Sequence, residues 1–526
     1  MSDLAATPFR SIPAAARHAA EAFVDTEAVV AGDTRWSFAD VGRRVDEAAR
    51  AFAALGVEPG DRVAIWAPNR PEWVVALFGL QSAGAALVPL TTRFKGQEAA
   101  DILRRSRARA LVTVDEFLGS DFIAMLDGHE LPDLRHRIVI GHDRPGTLAW
   151  EAFLHRAADV EREEIDRRVA ALGPDDVSDV IFTSGTTGAP KGVVSRHGQS
   201  VRAFQTWVDI VGLEAGDRYL LVNPMSHTFG YKAGIVACQL AGATLVPLPS
   251  LDVDAALDVI PRERISVLAG APTLYQTLLN HPRLASADLS SLRLAVTGAA
   301  VIPTELVRRM RDDLGFDTVI TAYGLTEATG FVTACRRGDD VETIATTSGR
   351  AIPGVEVQVV DDESKEVPRG EPGEIVCRGY NVMRGYFEDP EQTAEAIDRD
   401  GWLHTGDIGV MDDGGNIRIT DRKKDMYIYG GFNVYPAEVE NALLAHPGIA
   451  QAAVVGVPDV RLGEVGVAFV IPRTGEAVDP DAVIAWSKER MANYKVPRVV
   501  QVVESLPVNA IGKVLKYELR EKAKSE

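Results

Sequence analysis

Ile181-Phe182-Thr183-Ser184-Gly185-Thr186-Thr187-Gly188-Ala189-Pro190-Lys191-Gly192 is the most informative stretch of the chain. An apolar run enters a loop of glycines and small hydroxyls that closes on a lysine. Glycine lets the backbone turn successive N–H groups inward, and the hydroxyls add donors, so such a loop can cradle phosphate. Lys191 supplies a cation to a polyphosphate or braces the loop. The spacing of Gly185 and Lys191 does not fit G-x-x-x-x-G-K-[ST], so this is not a Walker loop. A plain Gly/Ser/Thr surface loop is the alternative, and the density of matching residues favours the phosphate reading.

Around this loop, short β-rich runs alternate with stretches of helical period. Strands are expected at Val63–Trp66, Ala86–Leu90, Ala110–Val114, Tyr219–Val222, Thr244–Leu248, Ile265–Ala269, Leu292–Val296 and Thr318–Ala322, with helices such as Pro71–Ala83 and Pro303–Asp313 between them. That alternation predicts α/β layers with parallel sheets. After about Arg350 the strands Val355–Val360, Glu374–Arg378 and Asn416–Thr420 shorten and Gly, Pro and Asp turns separate them, so a β-rich subdomain is expected. The charge cluster Asp421-Arg422-Lys423-Lys424-Asp425 marks a boundary, and Ala437–Ala445, Ala452–Val455, Val467–Ile471, Pro480–Met491 and Val499–Val503 read as a compact α+β unit beyond it. The expected organisation is a large N-terminal domain, residues 1–423, of two α/β-layered subdomains plus the β-rich one. A small mobile α+β domain, residues 424–526, follows.

At 526 residues, and ~150 per domain, length alone predicts about three or four folding units. Fifty-six basic against 75 acidic residues leave a charge of −19, which argues against a nucleic-acid partner but not against nucleotides bound through backbone N–H groups. Cys238, Cys335 and Cys377 are too few and too scattered for a disulfide framework, and no zinc-type spacing occurs. With no signal-like N-terminus and no unbroken apolar span, a cytoplasmic protein without a membrane segment is expected. Eight of the 12 lysines follow Arg422, in a chain that otherwise prefers arginine.

With three further motifs added, Tyr323-Gly324-Leu325-Thr326-Glu327, Gly401-Trp402-Leu403-His404-Thr405-Gly406-Asp407 and Pro507-Val508-Asn509-Ala510-Ile511-Gly512-Lys513, the chain resembles the adenylate-forming superfamily of acyl-CoA synthetases, adenylation domains and firefly-type luciferases. The resemblance runs from about Arg35 to Lys516 with the motifs in the expected order. It implies ATP, Mg²⁺ and CoA. The phosphates would lie on Thr183, Ser184, Gly185, Thr186, Thr187, Gly188 and Lys191. Gly298, Ala299, Ala300, Tyr323 and Gly324 would receive the adenine side, Thr326 the α-phosphate, and Glu327 the metal. Asp407 and Arg422 would hold the ribose. Lys513 would bridge the substrate carboxylate and the nucleotide. Asn509 and Lys516 depart from the usual Thr and Arg while keeping polar or cationic character.

A carboxylate is a poor electrophile. The resemblance implies that it attacks the α-phosphate of ATP, expelling pyrophosphate, and that a thiol then displaces AMP from the acyl-adenylate. The family serves both steps by rotating its C-terminal domain. Lys424 occupies the hinge position, and Gly430, Gly431 and Phe432 face the site for the thiol step.

Asn223-Pro224-Met225-Ser226-His227-Thr228-Phe229-Gly230-Tyr231 aligns with the family's aromatic gate, with His227 at the gate. No Asp follows Phe229, so an amino acid is not expected. Phe229, Gly230, Gly270, Ala271, Pro272, Gly298 and Tyr323 are expected to line a roomy apolar acyl pocket. The run His227–Ile235, with Thr321–Ala328 and Asp425–Asn433, looks like the branch of ligases that activate the fused-ring propanoic acid left by steroid-ring degradation. A terpenoid acid suits the same features. A medium-chain fatty acid, or an enzyme that hands its acyl-AMP to a separate acceptor, is the alternative. A fused carrier is not expected, because only 13 residues follow Lys513. A luciferase lacks a luciferin signature, a non-catalytic nucleotide binder should have lost Lys513 or Glu327, and a serine hydrolase lacks its Gly-x-Ser-x-Gly elbow. A second copy of the chain is kept open as a partner.

Overall fold

A computed structural model describes residues 8–142, 144–183, 190–298, 304–422, 425–429, 432–459, 461–491, 493–508 and 514–524, with the backbone alone at 421, 422, 432 and 433. Contacts divide the chain into two compact units, Met1–Glu356 with Cys377–Leu403, and Val357–Val376 with His404–Glu526.

The expected α/β alternation becomes two large sheets in the first unit. Among the described residues, nine strands form one of them, in the order Arg350–Ala351, Thr333–Ala334, Thr318–Tyr323, Leu294–Gly298, Val267–Ala269, Arg218–Leu221, Thr244–Pro247, Glu27–Ala31, Thr34–Ser37. Its centre is parallel, from Thr318–Tyr323 through to Glu27–Ala31. The other sheet runs Gly385–Tyr386, Lys191–Arg196, Val177–Thr183, Ala86–Pro89, Arg62–Trp66, Ala110–Val114, His136–Ile140, Leu148–Ala149. Parallel strands need crossovers, and the helical stretches of the sequence supply them.

The apolar run Trp73–Leu90 reads as a core helix followed by a buried strand, and so it folds. Pro71 opens a helix to Ser82 in which every residue from Trp73 onward is buried, and the chain turns directly into the buried strand Ala86–Pro89. The second apolar run, Gly234–Leu251, has the same reading and likewise gives a core helix and then a buried strand, Thr244–Pro247. Its helix opens at Thr228–Gly230, passes through a π-helical turn, Tyr231–Val236, continues as Ala237–Ala241, and stops at Gly242, whose φ of 72° few other residues tolerate. Apolar period alone gives no warning of a π turn. The same chain region holds a lysine, Lys232, inside the core.

In the second unit, the β-rich run forms a four-stranded sheet of order Val355–Val360, Pro372–Gly379, Leu403–Met411, Ile417–Arg422. The contacts group this sheet with the C-terminal segment. The segment's own sheet pairs Ile449–Asp459 with Gly463–Pro472, whose other edge carries Tyr427–Tyr429 and Val499–Val502. The helix Pro436–Leu444 buries Val439 and Leu443 in the same core as Val454, Ala468 and Val470.

Candidate active site

Strands flank the quoted loop on both sides. Val177–Thr183 and Lys191–Arg196 pair antiparallel, with Thr183 opposite Lys191. Ser184, Gly185, Thr186, Thr187, Gly188 and Ala189 lie outside the described residues. At the rim, the Thr183 hydroxyl donates to the Lys191 carbonyl at 3.5 Å. Lys191 Nζ donates to Gln392 Oε1 and stands 5.1 Å from the centre of the Tyr386 ring. The Tyr386 hydroxyl in turn donates to Glu327 Oε1 at 3.2 Å. Burial and the nearby carboxylate raise the phenol's pKa, so it stays protonated and remains a donor. Tyr386 is held by pairing against Val193 and by its backbone N–H on Thr393 Oγ1 at 2.9 Å.

The nucleotide motif follows from the parallel sheet. Leu294–Gly298 and Thr318–Tyr323 lie side by side, with Gly298 opposite Ala322, and both end at the carboxyl edge where such sheets bind ligands. A Cβ on Gly298 would meet the Ala322 carbonyl oxygen at 2.3 Å, so this glycine answers to strand packing. Ala299 and Ala300 lie outside the described residues. Tyr323 is buried at its strand end, and Thr326–Ala328 form a 3₁₀ turn. The Met383 N–H donates to the Glu327 carbonyl at 2.8 Å. A Cβ on Gly324 would lie 2.1 Å from the Gly330 carbonyl oxygen, and Gly330 itself seats the Thr228 methyl. The loop after Tyr323 is therefore folded back on itself and pressed against the acyl-side segment.

That segment starts at His227, which caps the turn Thr228–Gly230 by accepting the Phe229 N–H on Nδ1 at 3.2 Å. Nδ1 is thereby an acceptor, and the ring proton is assigned to Nε2. Burial pushes the imidazole down to about 4, so His227 is a neutral hydrogen-bond donor at physiological pH. Asn69 pins the chain just before it, accepting from the Met225 N–H at 2.7 Å and donating to the Asn223 carbonyl at 2.9 Å. Asn223 reaches onward to the Ala269 carbonyl at 2.8 Å. The next residue, Gly270, bonds to the Val296 carbonyl at 3.0 Å, while Ala271 and Pro272 open the helix Pro272–Leu279. A Cβ on Gly230 would strike the Pro224 carbonyl oxygen at 2.1 Å. One on Gly270 would strike the Leu274 side chain at 2.5 Å. The missing side chains at 230, 270 and 298 thus serve close packing, a role their small size alone does not reveal.

In the second unit, Asp407 is buried and lies opposite Arg422 across two antiparallel strands. The Asp407 and Gly406 N–H groups are held by Thr405 Oγ1 at 3.1 Å and Glu374 Oε1 at 3.0 Å. Phe432 pairs with Tyr429 through its backbone. Lys424, Gly430, Gly431 and Lys513 lie outside the described residues.

Sequence reading missed Asn69, Tyr386 and Gln392 as parts of this constellation, and it gave no role to Asn223 and Lys232, which lie inside the stretches it quoted. Tyr386 and Gln392 meet Glu327 and Lys191 only through tertiary folding. Lys232 did carry a signal, as a lone cation in an apolar run. Among the described residues, no group of three or more His, Cys, Asp or Glu is placed to hold a metal, and no helix is long and apolar enough to cross a membrane. The three cysteines are free and buried, with burial pushing Cys335 up to about 11 and Cys377 up to about 12, so neither is a ready nucleophile.

A family model described as AMP-binding enzyme matches residues 16–387, and one described as AMP-binding enzyme C-terminal domain matches residues 438–513. A Rhodococcus jostii protein, 3-[(3aS,4S,7aS)-7a-methyl-1,5-dioxo-octahydro-1H-inden-4-yl]propanoyl:CoA ligase, is 51% identical over 97% of this chain and 98% of its own length. A Mycobacterium tuberculosis protein of the same name is 52% identical over 97% of this chain and 99% of its own. Among solved structures, the anthranilate CoA ligase AuaEII in complex with anthranoyl-AMP superposes with a TM-score of 0.88 at 30% identity, covering 100% of this chain and 99% of that one.

Proposed function

The chain belongs to the AMP-binding enzyme family, and from that premise we propose that it is an ATP-dependent carboxylic acid–CoA ligase acting on a bulky fused-ring propanoic acid. It forms an acyl-adenylate and pyrophosphate, then transfers the acyl group to CoA and releases AMP. The observation that carries this reading is identity above half, over nearly the full length of both chains, to two ligases named for the methyl-dioxo-octahydroindenyl propanoate.

The geometry of the first unit supports the first step. Phosphate hairpin, nucleotide loop and acyl segment are joined by an unbroken run of contacts, Lys191 to Tyr386 to Glu327 on one side and Gly330 to Thr228 on the other. Reactants bound to such a frame meet at fixed separation, which is where a phosphoryl-transfer site gains most of its rate. Thr183, Ser184, Gly185, Thr186, Thr187, Gly188 and Lys191 bind the phosphates. Tyr323 lies along the adenine with Gly298, Ala299, Ala300 and Gly324, and Thr326 reaches the α-phosphate. His227 offers its Nε2–H to the acid's carboxylate beside Phe229, Gly230, Gly270, Ala271 and Pro272. The Glu327 carboxylate, which accepts from Tyr386 on Oε1, is a hard oxygen ligand of the kind that would hold a Mg²⁺ ion. When bound, that ion supplies positive charge to the triphosphate.

Asp407 and Arg422 hold the ribose. Lys513 neutralises charge between carboxylate and α-phosphate, and Gly430, Gly431 and Phe432 pass the CoA thiol arm. We place residues 1–423 in an adenylation domain and residues 424–526 in a domain that turns about Lys424. The interval between the two family matches, 387 to 438, contains that hinge. Three free buried thiols suit a cytoplasmic location.

The test is pyrophosphate release over acids of graded size, with and without CoA, with the CoA ester read by mass. The fused-ring propanoate should give the highest kcat/KM and a CoA ester. Preference for straight-chain acids, or AMP release without a CoA ester, overturns the reading.

A further inference from the structure

Lys232 is one of four lysines in the first 422 residues, and its side chain is 1% exposed. Its Nζ lies 3.1 Å from Asp179 Oδ1, a carboxylate that is 0% exposed, and donates to Ser195 Oγ at 2.9 Å. Asp179 and Ser195 are cross-strand partners on the two strands that carry the phosphate loop. Ser178 Oγ donates to the other oxygen of Asp179 at 2.7 Å. Tyr231, the neighbour of Lys232, accepts from Gln81 Nε2 at 2.9 Å, and the same amide nitrogen donates to the Ser178 carbonyl at 3.0 Å. Two consecutive residues of the acyl-side helix are thus tied to the base of the phosphate hairpin. Tyr231 also donates its N–H to the His227 carbonyl at 2.8 Å, so the tether reaches the acyl gate directly.

Stability does not account for this arrangement. Desolvating two charges offsets most of what their attraction returns, and apolar residues of equal volume commonly stabilise as well. What a buried pair supplies is a unique register, since neither charge tolerates a partnerless position. The two tethered residues, Tyr231 and Lys232, open a π turn, Tyr231–Val236. Such turns are costly, and they persist where surrounding contacts fix them, often at functional sites.

We propose that the Asp179–Lys232 pair is a positioning device that fixes the acyl gate, His227 to Gly230, against the strands Val177–Thr183 and Lys191–Arg196, and that it thereby favours acids with a rigid ring body over straight-chain ones. The inference rests on the ligase reading. The fused-ring acid has only the few bonds of its propanoate arm with which to bring its carboxylate to a displaced gate, whereas a straight chain such as octanoate absorbs the shift over many more. Lys232 and Asp179 are positioning residues that act through the helix and the hairpin.

The test compares Lys232→Met, Asp179→Asn and the double variant, with thermal midpoint and acyl-AMP formation measured for each. The probes are the methyl-dioxo-octahydroindenyl propanoate and octanoate. Each single variant strands a polar or charged partner and lowers the midpoint; the double variant regains most of it. A positioning role requires that the regained fold still shows kcat/KM for the fused-ring acid down at least tenfold, octanoate down less than threefold, and KM for ATP within twofold. A double variant with wild-type midpoint and wild-type selectivity overturns the proposal. Ser195→Ala keeps the ion pair and guards against a failed fold. It should raise KM for the fused-ring acid about threefold with ATP unchanged, and no change there also overturns the proposal. Wild-type protein that forms no acyl-AMP with either acid defeats the ligase reading itself.

Discussion

Replacing Tyr386 by phenylalanine removes a single oxygen and leaves the ring beside Lys191. The substitution breaks the hydrogen bond from the phenol to Glu327 Oε1, 3.2 Å long. Hydrogen bonds to charged groups contribute about 1.5–3 kcal/mol. This one is longer than strong charge-assisted bonds, and Glu327 is only half buried, so water can take the vacated place. Both facts put the value near the lower end, about 1.5 kcal/mol. At ~1.4 kcal/mol per factor of ten, Tyr386→Phe should lower kcat/KM for ATP in adenylation about tenfold. The assay is pyrophosphate exchange with ATP varied at saturating acid, alongside a thermal melt. KM for the acid should not move, and the midpoint should stay within a few degrees. Tyr386→Ala also removes the ring beside Lys191, worth about 0.5–1 kcal/mol, and should cost a further threefold or so. Tyr386→Phe activity within twofold of wild type, or a loss confined to the acid's KM, would refute the inference that Tyr386 holds Glu327 for the nucleotide.

Asn69→Ala removes an acceptor from the Met225 N–H and a donor from the Asn223 carbonyl, so KM for the acid should rise about tenfold while KM for ATP stays put; steady-state kinetics with each substrate varied decides it. His197 is buried and pushed down to about 4 from an ordinary value of 6.5. The unfolded chain then binds the extra proton between those values, so stability is complete above about pH 6.5 and falls as pH drops towards 4, by up to about 3 kcal/mol. Urea unfolding of His197→Asn across that window should show a shallower pH slope than wild type, and an equal slope counts against the assignment. Lys513→Ala should lose acyl-AMP formation far more than thioester formation from supplied acyl-AMP, whereas Gly431→Trp should do the reverse; equal loss in both half-reactions of either variant contradicts its role.

Local chemistry made much of the molecule legible without coordinates. The strands Ala110–Val114 and Val355–Val360 fall where apolar runs and turn residues put them, and the helix from Pro71 starts at the residue whose ring favours a helix start. These features depend on a few neighbouring residues, and a sequence records neighbours directly. The strand Val177–Thr183, which enters the quoted Gly-rich stretch, was legible for the same reason, since an apolar run ending in Gly and hydroxyl residues needs no distant partner to be recognised. The sequence also carried the family, because four motifs in fixed order are a linear property.

The tertiary structure decided which groups meet. Tyr386 is 59 residues from Glu327 along the chain, and Lys191 is 201 residues from Gln392; nothing local marks them as partners. The glycines at 230, 270 and 298 read as space for a ligand in the sequence, and the structure turns their missing side chains towards backbone and core. A missing Cβ has a direction only once the chain is folded. Lys232, in the π turn Tyr231–Val236, likewise meets Asp179 and Ser195 only in the fold, because a buried charge needs its counter-charge within reach.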